Sequence, residues 1–126
     1  MSFTIRQICL VAHTLAPVIE EFHTVFGIKN CYSDPQVAYF GLENALLPVG
    51  NDFIEIVSPI KENTAAGRYL ERRKGNGGYM ILHQSDSEKI QASSLRRAKK
   101  MGIRVAFEMT IETYHLIQLH PADTGG

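Results

Sequence analysis

Apolar residues recur at helical spacing in two stretches of the chain. The first runs from Leu15 to Phe26, tolerates Pro17 in its first turn, and is followed by a glycine suited to a C-cap, Gly27. The second begins at Asp86, a good N-cap residue, and ends in a basic last turn before Gly102. The pattern predicts two amphipathic helices of similar design.

The ends of these helices suggest an internal repeat. Phe26-Gly27-Ile28-Lys29 and Met101-Gly102-Ile103-Arg104 have the same character and lie 75 positions apart (102 minus 27). A short apolar run precedes each helix, Ile5 to Ala12 before the first and Gly78 to Gln84 before the second. The sequence therefore predicts two strand–helix units in register.

Short apolar runs between turn residues follow each helix and predict an antiparallel meander. A Gly50-Asn51-Asp52 turn predicts a hairpin after the first helix, and Asp123 to Gly126 is a comparable turn near the end. Both halves thus follow a βαβββ plan, and the second half lacks its last strand. We expect one α+β domain with module one at 1–59, a linker helix within 60–77 and module two at 78–126. The predicted strands after the helices are Asn30 to Tyr32, Val37 to Leu42, Ala45 to Val49, Phe53 to Val57, Ile103 to Phe107 and Tyr114 to His120.

The linker carries a concentration of positive charge. Asn63 or Thr64 is placed to cap a short helix, and Glu71 offsets part of the charge. Two interpretations remain open: a site for an anionic group, such as the phosphates of a CoA ester, or a solvated helix face. The basic residues are Arg68, Arg72, Arg73 and Lys74.

Composition limits the classes of function. A chain of 126 residues with 44% hydrophobic content fits one domain. Its 13 basic and 13 acidic side chains give a formal net charge of zero, so no overall positive charge attracts it to nucleic acid or to anionic membranes. Cys9 and Cys31 lack metal or redox spacing, which favours reduced thiols in a cytoplasmic protein. No apolar run approaches the roughly 18 residues of a membrane span. Motifs of nucleotide hydrolases, serine hydrolases and zinc proteases are absent.

Three motifs, taken in order, resemble a known family. They are Gln7 to Val11 before the first helix, Phe53 to Pro59 closing the first module, and the ending His120-Pro121-Ala122-Asp123-Thr124-Gly125-Gly126. Together they resemble the vicinal oxygen chelate superfamily, which includes glyoxalase I, extradiol dioxygenases, methylmalonyl-CoA epimerase and the bleomycin resistance proteins. The last motif is most similar to the epimerase branch. The resemblance implies a curved mixed sheet that forms a cup, with helices outside, and a homodimer.

The resemblance also implies a divalent metal, such as Mg, Mn, Co, Ni or Zn, inside the cup. The matching ligand positions in the first module are Gln7 and Glu55. In the second module the position falls on Met80, which is a poor ligand for a hard cation. The fourth ligand would lie on the missing strand, so only two of the four positions offer a suitable donor.

Glu55 is the predicted catalytic residue, as metal ligand or as proton-transfer base. Strand alternation places Phe53 on its face and Ile54 and Ile56 on the opposite, helix-covered face. The predicted substrate-binding residues are Gln7, Phe53, Met80 and His120.

Two alternatives stay open for His120, which begins the last motif. It either binds a ligand in the mouth of the cup or orders the turn with Asp123. His83 is expected beneath a helix, and His13 and His23 are expected to be solvated.

Two functions remain. One is an isomerase or lyase that acts on an α-oxo or acyl-thioester substrate through an enediolate. The other is a metal-independent protein that binds a small molecule in the cup without catalysis, in the manner of bleomycin-resistance proteins.

Overall fold

The computed structural model describes residues 3–112 and 114–125. The chain divides into two compact units, Ile5–His83 and the residues from Gln84 onward together with those before Ile5. Helices and strands of both units give the predicted α+β class, which is confirmed. The elements are β1 (Phe3–Val11), α1 (Leu15–Phe26), β2 (Leu42–Val49), β3 (Asp52–Pro59), α2 (Ala65–Arg73), β4 (Gly77–Ser85), α3 (Glu88–Lys100), β5 (Val105–Ile111), β6 (Tyr114–Leu119) and α4 (Pro121–Thr124).

A four-stranded mixed sheet organises the first unit. Its strand order is β2-β3-β1-β4, with β1 parallel to β3 and β2 antiparallel to β3. The predicted hairpin turns at Gly50, whose φ of 63° suits glycine. The register places Glu55 of β3 between Cys9 of β1 and Leu46 of β2.

Each face of this sheet is covered by a different helix. On the face that we call the α1 face, Leu47 and Ile56 are fully buried beneath Leu15, Val18, Ile19 and Phe22 of α1. On the opposite face, the α2 face, Cys9 and Val57 are buried together with Leu70 of α2. Because strand side chains alternate, neighbouring residues of β3 serve the two faces in turn.

The predicted strand at Val37 to Leu42 is wrong, because residues Pro35–Phe40 form a 3₁₀ helix. The Asp34 carboxylate accepts a hydrogen bond of 2.9 Å from the backbone N–H of Gln36, and proline at the first position suits a helical start. Gly41, with a φ of 72°, ends the segment. Local capping therefore outweighed the apolar pattern that suggested a strand.

The predicted strand at Asn30 to Tyr32 is also wrong. Tyr32 makes an isolated bridge with Leu46, in which the two residues exchange backbone hydrogen bonds of 2.9 and 2.8 Å. This single bridge is the whole of the pairing described for that predicted strand.

Both predicted amphipathic helices are present, with one correction. Gly27 caps α1 in the left-handed region, as expected. The N-cap of α3 is Ser87 rather than Asp86, and the Ser87 hydroxyl accepts from the backbone N–H of Ile90 at 3.3 Å. In the linker, Thr64 is the residue that caps α2, through a 3.0 Å hydrogen bond from the N–H of Gly67.

The second unit contains α3 and an antiparallel β5–β6 pair, with a bulge between Val105 and Phe107. The residues described after β6 form α4, and no further strand occurs among them. None of the helices in the described part of the chain is both long and apolar enough to span a bilayer.

Candidate functional site

Glu55 is a buried carboxylate on the α2 face. Only 8% of its surface is exposed, and its Oε1 accepts a 2.8 Å hydrogen bond from the side-chain amide of Asn44. The Asn44 side-chain oxygen in turn accepts a 2.9 Å bond from the backbone N–H of Asp34. Buried charges require partners of this kind. The carboxylate is therefore held in one orientation by its neighbour on β2.

Cys9 lies beside Glu55 on β1 and is its partner in the strand register. The pKa of the Cys9 thiol is raised far above its usual range, mainly by burial and further by the charge of Glu55 and a hydrogen bond to it. The thiol therefore stays protonated at neutral pH. Three strands thus bring together Cys9, Asn44 and Glu55, of which the sequence predicted Glu55 alone.

Gln7 and Phe53 are partners in the register of β1 and β3. Both are partly exposed, in contrast to Glu55. The Arg6 guanidinium lies 5.0 Å from the centre of the Phe53 ring and donates to the backbone carbonyl of Asn51. This end of the α2 face is accordingly the more open one, and it offers an amide and an aromatic ring.

The other end of the α2 face is closed by apolar side chains. Ala66 and Leu70 of α2 are each 1% exposed and form a cluster with the buried residues of β1 and β3. Val37 of the 3₁₀ helix and Met80 of β4 pack against this cluster. Met80, a predicted substrate-binding residue, thus packs against the apolar cluster under α2.

The donor set on this face does not fit a chelated divalent cation. Gln7 and Glu55 supply two oxygen donors, while Met80 lies in the apolar cluster. Among residues 3–112 and 114–125, no group of three or more His, Cys, Asp or Glu side chains is arranged to hold a metal. A cation of this class prefers six or more oxygen ligands or a tetrahedral nitrogen and sulfur set.

His120 belongs to the second unit and acts as the N-cap of α4. Its ring Nδ1 accepts a 3.2 Å hydrogen bond from the N–H of Ala122, and its carbonyl accepts 3.0 Å from the N–H of Asp123. The Asp123 carboxylate pairs with the Arg104 guanidinium at 2.8 Å, and this pairing holds the pKa of Asp123 well below its usual range. His120 thus orders the turn, and its role in ligand binding stays a prediction.

The remaining histidines occupy different environments. His13 is exposed at the corner between β1 and α1, where its carbonyl accepts 2.7 Å from Ser58 and its N–H donates 2.9 Å to Asn76. The expectation that His23 is solvated is wrong for Nε2, which is buried without a partner in the described part of the chain. The expectation of a covered His83 is wrong as well, because this residue is exposed.

The basic residues of the linker are engaged mainly with the linker itself. Arg68 donates to the carbonyl of Asn63 at 2.6 Å, and Arg73 donates to the carbonyls of Gly75 and Asn76 at 3.0 and 3.1 Å. Alongside α2 lies an open cavity of about 500 Å³ that contains both signs of charge. It is lined in part by His13, Lys61, Glu62, Arg68 and Glu71.

Comparison with known proteins gives a clear result for the fold. No family model matches the sequence, and no curated protein matches it either. Among solved structures, a methylmalonyl-CoA epimerase in complex with methylmalonyl-CoA and NH4+ is 21% identical with a TM-score of 0.80, covering 100% of this chain and 90% of that one. The epimerase from Mycobacterium tuberculosis is 20% identical with a TM-score of 0.79, covering 97% and 81%.

A variant of the Streptomyces coelicolor methylmalonyl-CoA epimerase with 2-nitronate-propionyl-CoA is 21% identical with a TM-score of 0.81, covering 100% of this chain and 93% of that one. Methylmalonyl-CoA epimerases belong to the vicinal oxygen chelate superfamily, so the predicted resemblance is confirmed as a likeness of fold.

Proposed function

We propose that this chain binds a small acyl thioester or α-oxo acid on the α2 face and isomerises it by proton transfer, with Glu55 as the base. The observation that carries the proposal is the position of Glu55, a carboxylate buried beside the partly exposed Gln7 and Phe53. The fold of acyl-CoA epimerases supports this substrate class.

The proposed reaction begins at the carbon next to the substrate carbonyl. The C–H bond breaks, the proton moves to the Glu55 carboxylate, and the electron pair moves onto the carbonyl oxygen. In this mechanism the Gln7 side-chain amide, which is on the same face of the sheet as Glu55, donates a hydrogen bond to that oxygen. The planar intermediate then turns its other face toward Glu55, the electron pair returns from the oxygen to the carbon, and the carbon takes the proton back from Glu55, which completes the isomerisation. The surrounding apolar side chains exclude water and strengthen each of these interactions.

The second candidate is a protein that binds such a ligand without turnover. The incomplete donor set favours it, because the two oxygen donors of this face fall short of a chelate that could polarise a carbonyl. The tight hold of Asn44 on Glu55 supports a purely structural carboxylate in the same way.

Proton exchange into substrate distinguishes the two candidates. The full chain is incubated in D2O with methylmalonyl-CoA, other short acyl-CoA esters and α-oxo acids. Deuterium at the carbon next to the thioester or keto carbonyl is followed by mass spectrometry. We expect exchange by the wild type and a loss of about 100-fold or more in Glu55→Gln. Glu43→Gln is the matched control, because Glu43 is an exposed carboxylate on the neighbouring strand.

Equal exchange by wild type and Glu55→Gln would contradict the role of Glu55. Ligand binding in calorimetry without any exchange would favour the second candidate. Titration of Mg²⁺, Mn²⁺, Co²⁺, Ni²⁺ and Zn²⁺ into the wild type and into Glu55→Gln completes the test. Stoichiometric metal binding by the wild type that is lost in Glu55→Gln would favour a mechanism in which a chelated metal polarises the carbonyl.

A further inference from the structure

Asn76 is exposed in the loop between α2 and β4, and glycine follows it in the sequence. The other asparagines of the chain precede larger residues. They are Asn30, Asn44, Asn51 and Asn63. Glycine has no Cβ to shield its backbone nitrogen and gives the chain the freedom to bend. The side-chain amide of Asn76 is therefore accessible to the backbone nitrogen of Gly77.

The oxygen of this side-chain amide is polarised by the fold. It accepts a 2.9 Å hydrogen bond from the backbone N–H of His13. The carbonyl of His13 accepts in turn from the Ser58 hydroxyl at 2.7 Å, which helps to hold His13 in place. When a nucleophile adds to the amide carbon, negative charge develops on the oxygen. A backbone N–H fixed at this distance stabilises such charge in the manner of an oxyanion hole.

The peptide nitrogen that would attack is activated from the other side by Arg73. The Nε of Arg73 donates to the carbonyls of Gly75 and Asn76 at 3.0 and 3.1 Å. The carbonyl of Asn76 and the nitrogen of Gly77 belong to one peptide group, so a cation on this oxygen stabilises the deprotonated, nucleophilic form of the nitrogen. A Cβ added at Gly77 would collide with the guanidinium, so Arg73 lies directly against this peptide.

We propose that Asn76 is a self-modification site, at which the fold promotes conversion of the asparagine into aspartate and isoaspartate through a cyclic imide. The N–H of Gly77 gives its proton to hydroxide, the nitrogen's electron pair forms a bond to Cγ of Asn76, and the carbonyl electron pair moves onto Oδ1. That pair then returns, the bond from Cγ to the amide nitrogen breaks, and this nitrogen takes a proton from water and leaves as ammonia. Water opens the ring at the side-chain carbonyl to give aspartate, or at the main-chain carbonyl to give isoaspartate. In total one water is consumed and one ammonia is released.

The two products have different effects on the corner at His13. Aspartate keeps an oxygen acceptor for the N–H of His13 and adds a negative charge near Arg73. Isoaspartate adds a carbon to the main chain and moves the carboxylate, so the N–H of His13 loses its partner in the loop. Formation of isoaspartate therefore releases the loop between α2 and β4 from the residues that precede α1.

The first experiment compares the folded and the unfolded wild-type chain. The full chain is incubated in buffer and in concentrated urea at the same pH and temperature, and it is then digested with trypsin. The peptide of residues 75–89 contains Asn76 as its sole asparagine, so fragment ions that gain the mass difference between amide and acid report this site. We expect the folded chain to react about tenfold faster or more, the effect of one oriented hydrogen bond to a charged group. An equal or lower rate in the folded chain would overturn the proposal.

Substitution of Arg73 tests the activation of the peptide nitrogen. Arg73→Gln should slow the reaction of the folded chain by about tenfold and leave the rate in urea unchanged. Arg72→Gln is the matched control, because Arg72 has the same charge and lies over the Tyr69 ring. It should leave both rates unchanged. Equal rates for the two variants in the folded chain would contradict the part assigned to Arg73, and the comparison within the wild type needs neither variant to fold.

The products identify the route. Attack by the nitrogen of Gly77 gives both aspartate and isoaspartate, which chromatography separates as two peptides of equal mass. Direct hydrolysis of the amide by water gives aspartate alone. We therefore expect two product peptides from the folded wild type, and aspartate as the sole product would exclude the cyclic imide.

Discussion

Replacement of Gly41 by alanine should destabilise the first unit through two separable effects. Gly41 has a φ of 72°, and alanine in this left-handed region costs roughly 1–2 kcal/mol. An added Cβ would also lie 2.8 Å from Cγ2 of Thr64 and 3.4 Å from Cβ of Lys61. Overpacking of this kind costs typically about 1–3 kcal/mol. The sum is a loss of about 2–5 kcal/mol in the free energy of unfolding.

Two further variants isolate the steric part. Gly27 has a φ of 68° and no atom within 4 Å of its added Cβ, so Gly27→Ala should show the backbone cost alone, about 1–2 kcal/mol. Thr64→Ser removes Cγ2 but keeps the hydroxyl that caps α2. The double variant of Gly41→Ala and Thr64→Ser should therefore recover about 1 kcal/mol or more relative to additivity.

Urea unfolding of the four variants, followed by circular dichroism, measures these free energies. Equal losses in Gly41→Ala and Gly27→Ala, together with additivity in the double variant, would refute the close contact between Gly41 and the cap of α2.

Three further predictions follow from the structure. Cys31 is exposed and Cys9 buried, so Ellman's reagent should label one thiol in the native protein and two after unfolding; two fast thiols in the native protein would contradict the burial of Cys9. Because the pKa of Cys9 is raised on folding, the unfolded chain loses this proton first, and stability should fall above about pH 8.5 with a slope of up to about 1.4 kcal/mol per pH unit. Urea unfolding between neutral and alkaline pH should show that the fall of the unfolding free energy with pH is reduced in Cys9→Ala and unchanged in Cys31→Ala. If the same fall remained in Cys9→Ala, a group other than Cys9 would cause it. Asp123→Asn should accelerate hydrogen exchange at the backbone N–H of Arg104, because this N–H donates a 3.0 Å hydrogen bond to the Asp123 carboxylate. Since the pKa of Asp123 is lowered, the protection of this N–H in the wild type should persist above about pH 4 and fade in acid. Equal exchange rates in wild type and Asp123→Asn at neutral pH would refute this prediction.

The elements that the sequence predicted well are those governed by local periodicity. The apolar spacing of α1 and the cap at Gly27 are local features, and both are present. Strand alternation also placed Glu55 opposite Ile54 and Ile56, which pack beneath α1. A period of two needs no tertiary information. The side of the sheet on which Glu55 lies could therefore be predicted from the sequence of its own strand, without knowledge of the residues that it contacts.

The partners of Glu55 depend on register and could not be predicted in the same way. Cys9 and Asn44 meet it only because β1 and β2 pair with β3 at particular residues. The role of α2 in covering the α2 face was missed because its basic residues directed attention to two other interpretations, an anion site and a solvated helix face. Ala66 and Leu70, four positions apart, are the signal for an apolar stripe that was available in the sequence.

The corner at His13 has a consequence for how this chain would accept added residues. Glycine-rich loops are ordinarily the sites where insertions are tolerated. Here Asn76, in the loop between α2 and β4, accepts the N–H of His13, while Ser58 donates to the carbonyl of the same residue. An insertion just before Asn76 would move its side-chain oxygen away from the N–H of His13, two residues before α1 begins. The loop at Gly50 has an open tip and is the better place to extend the chain.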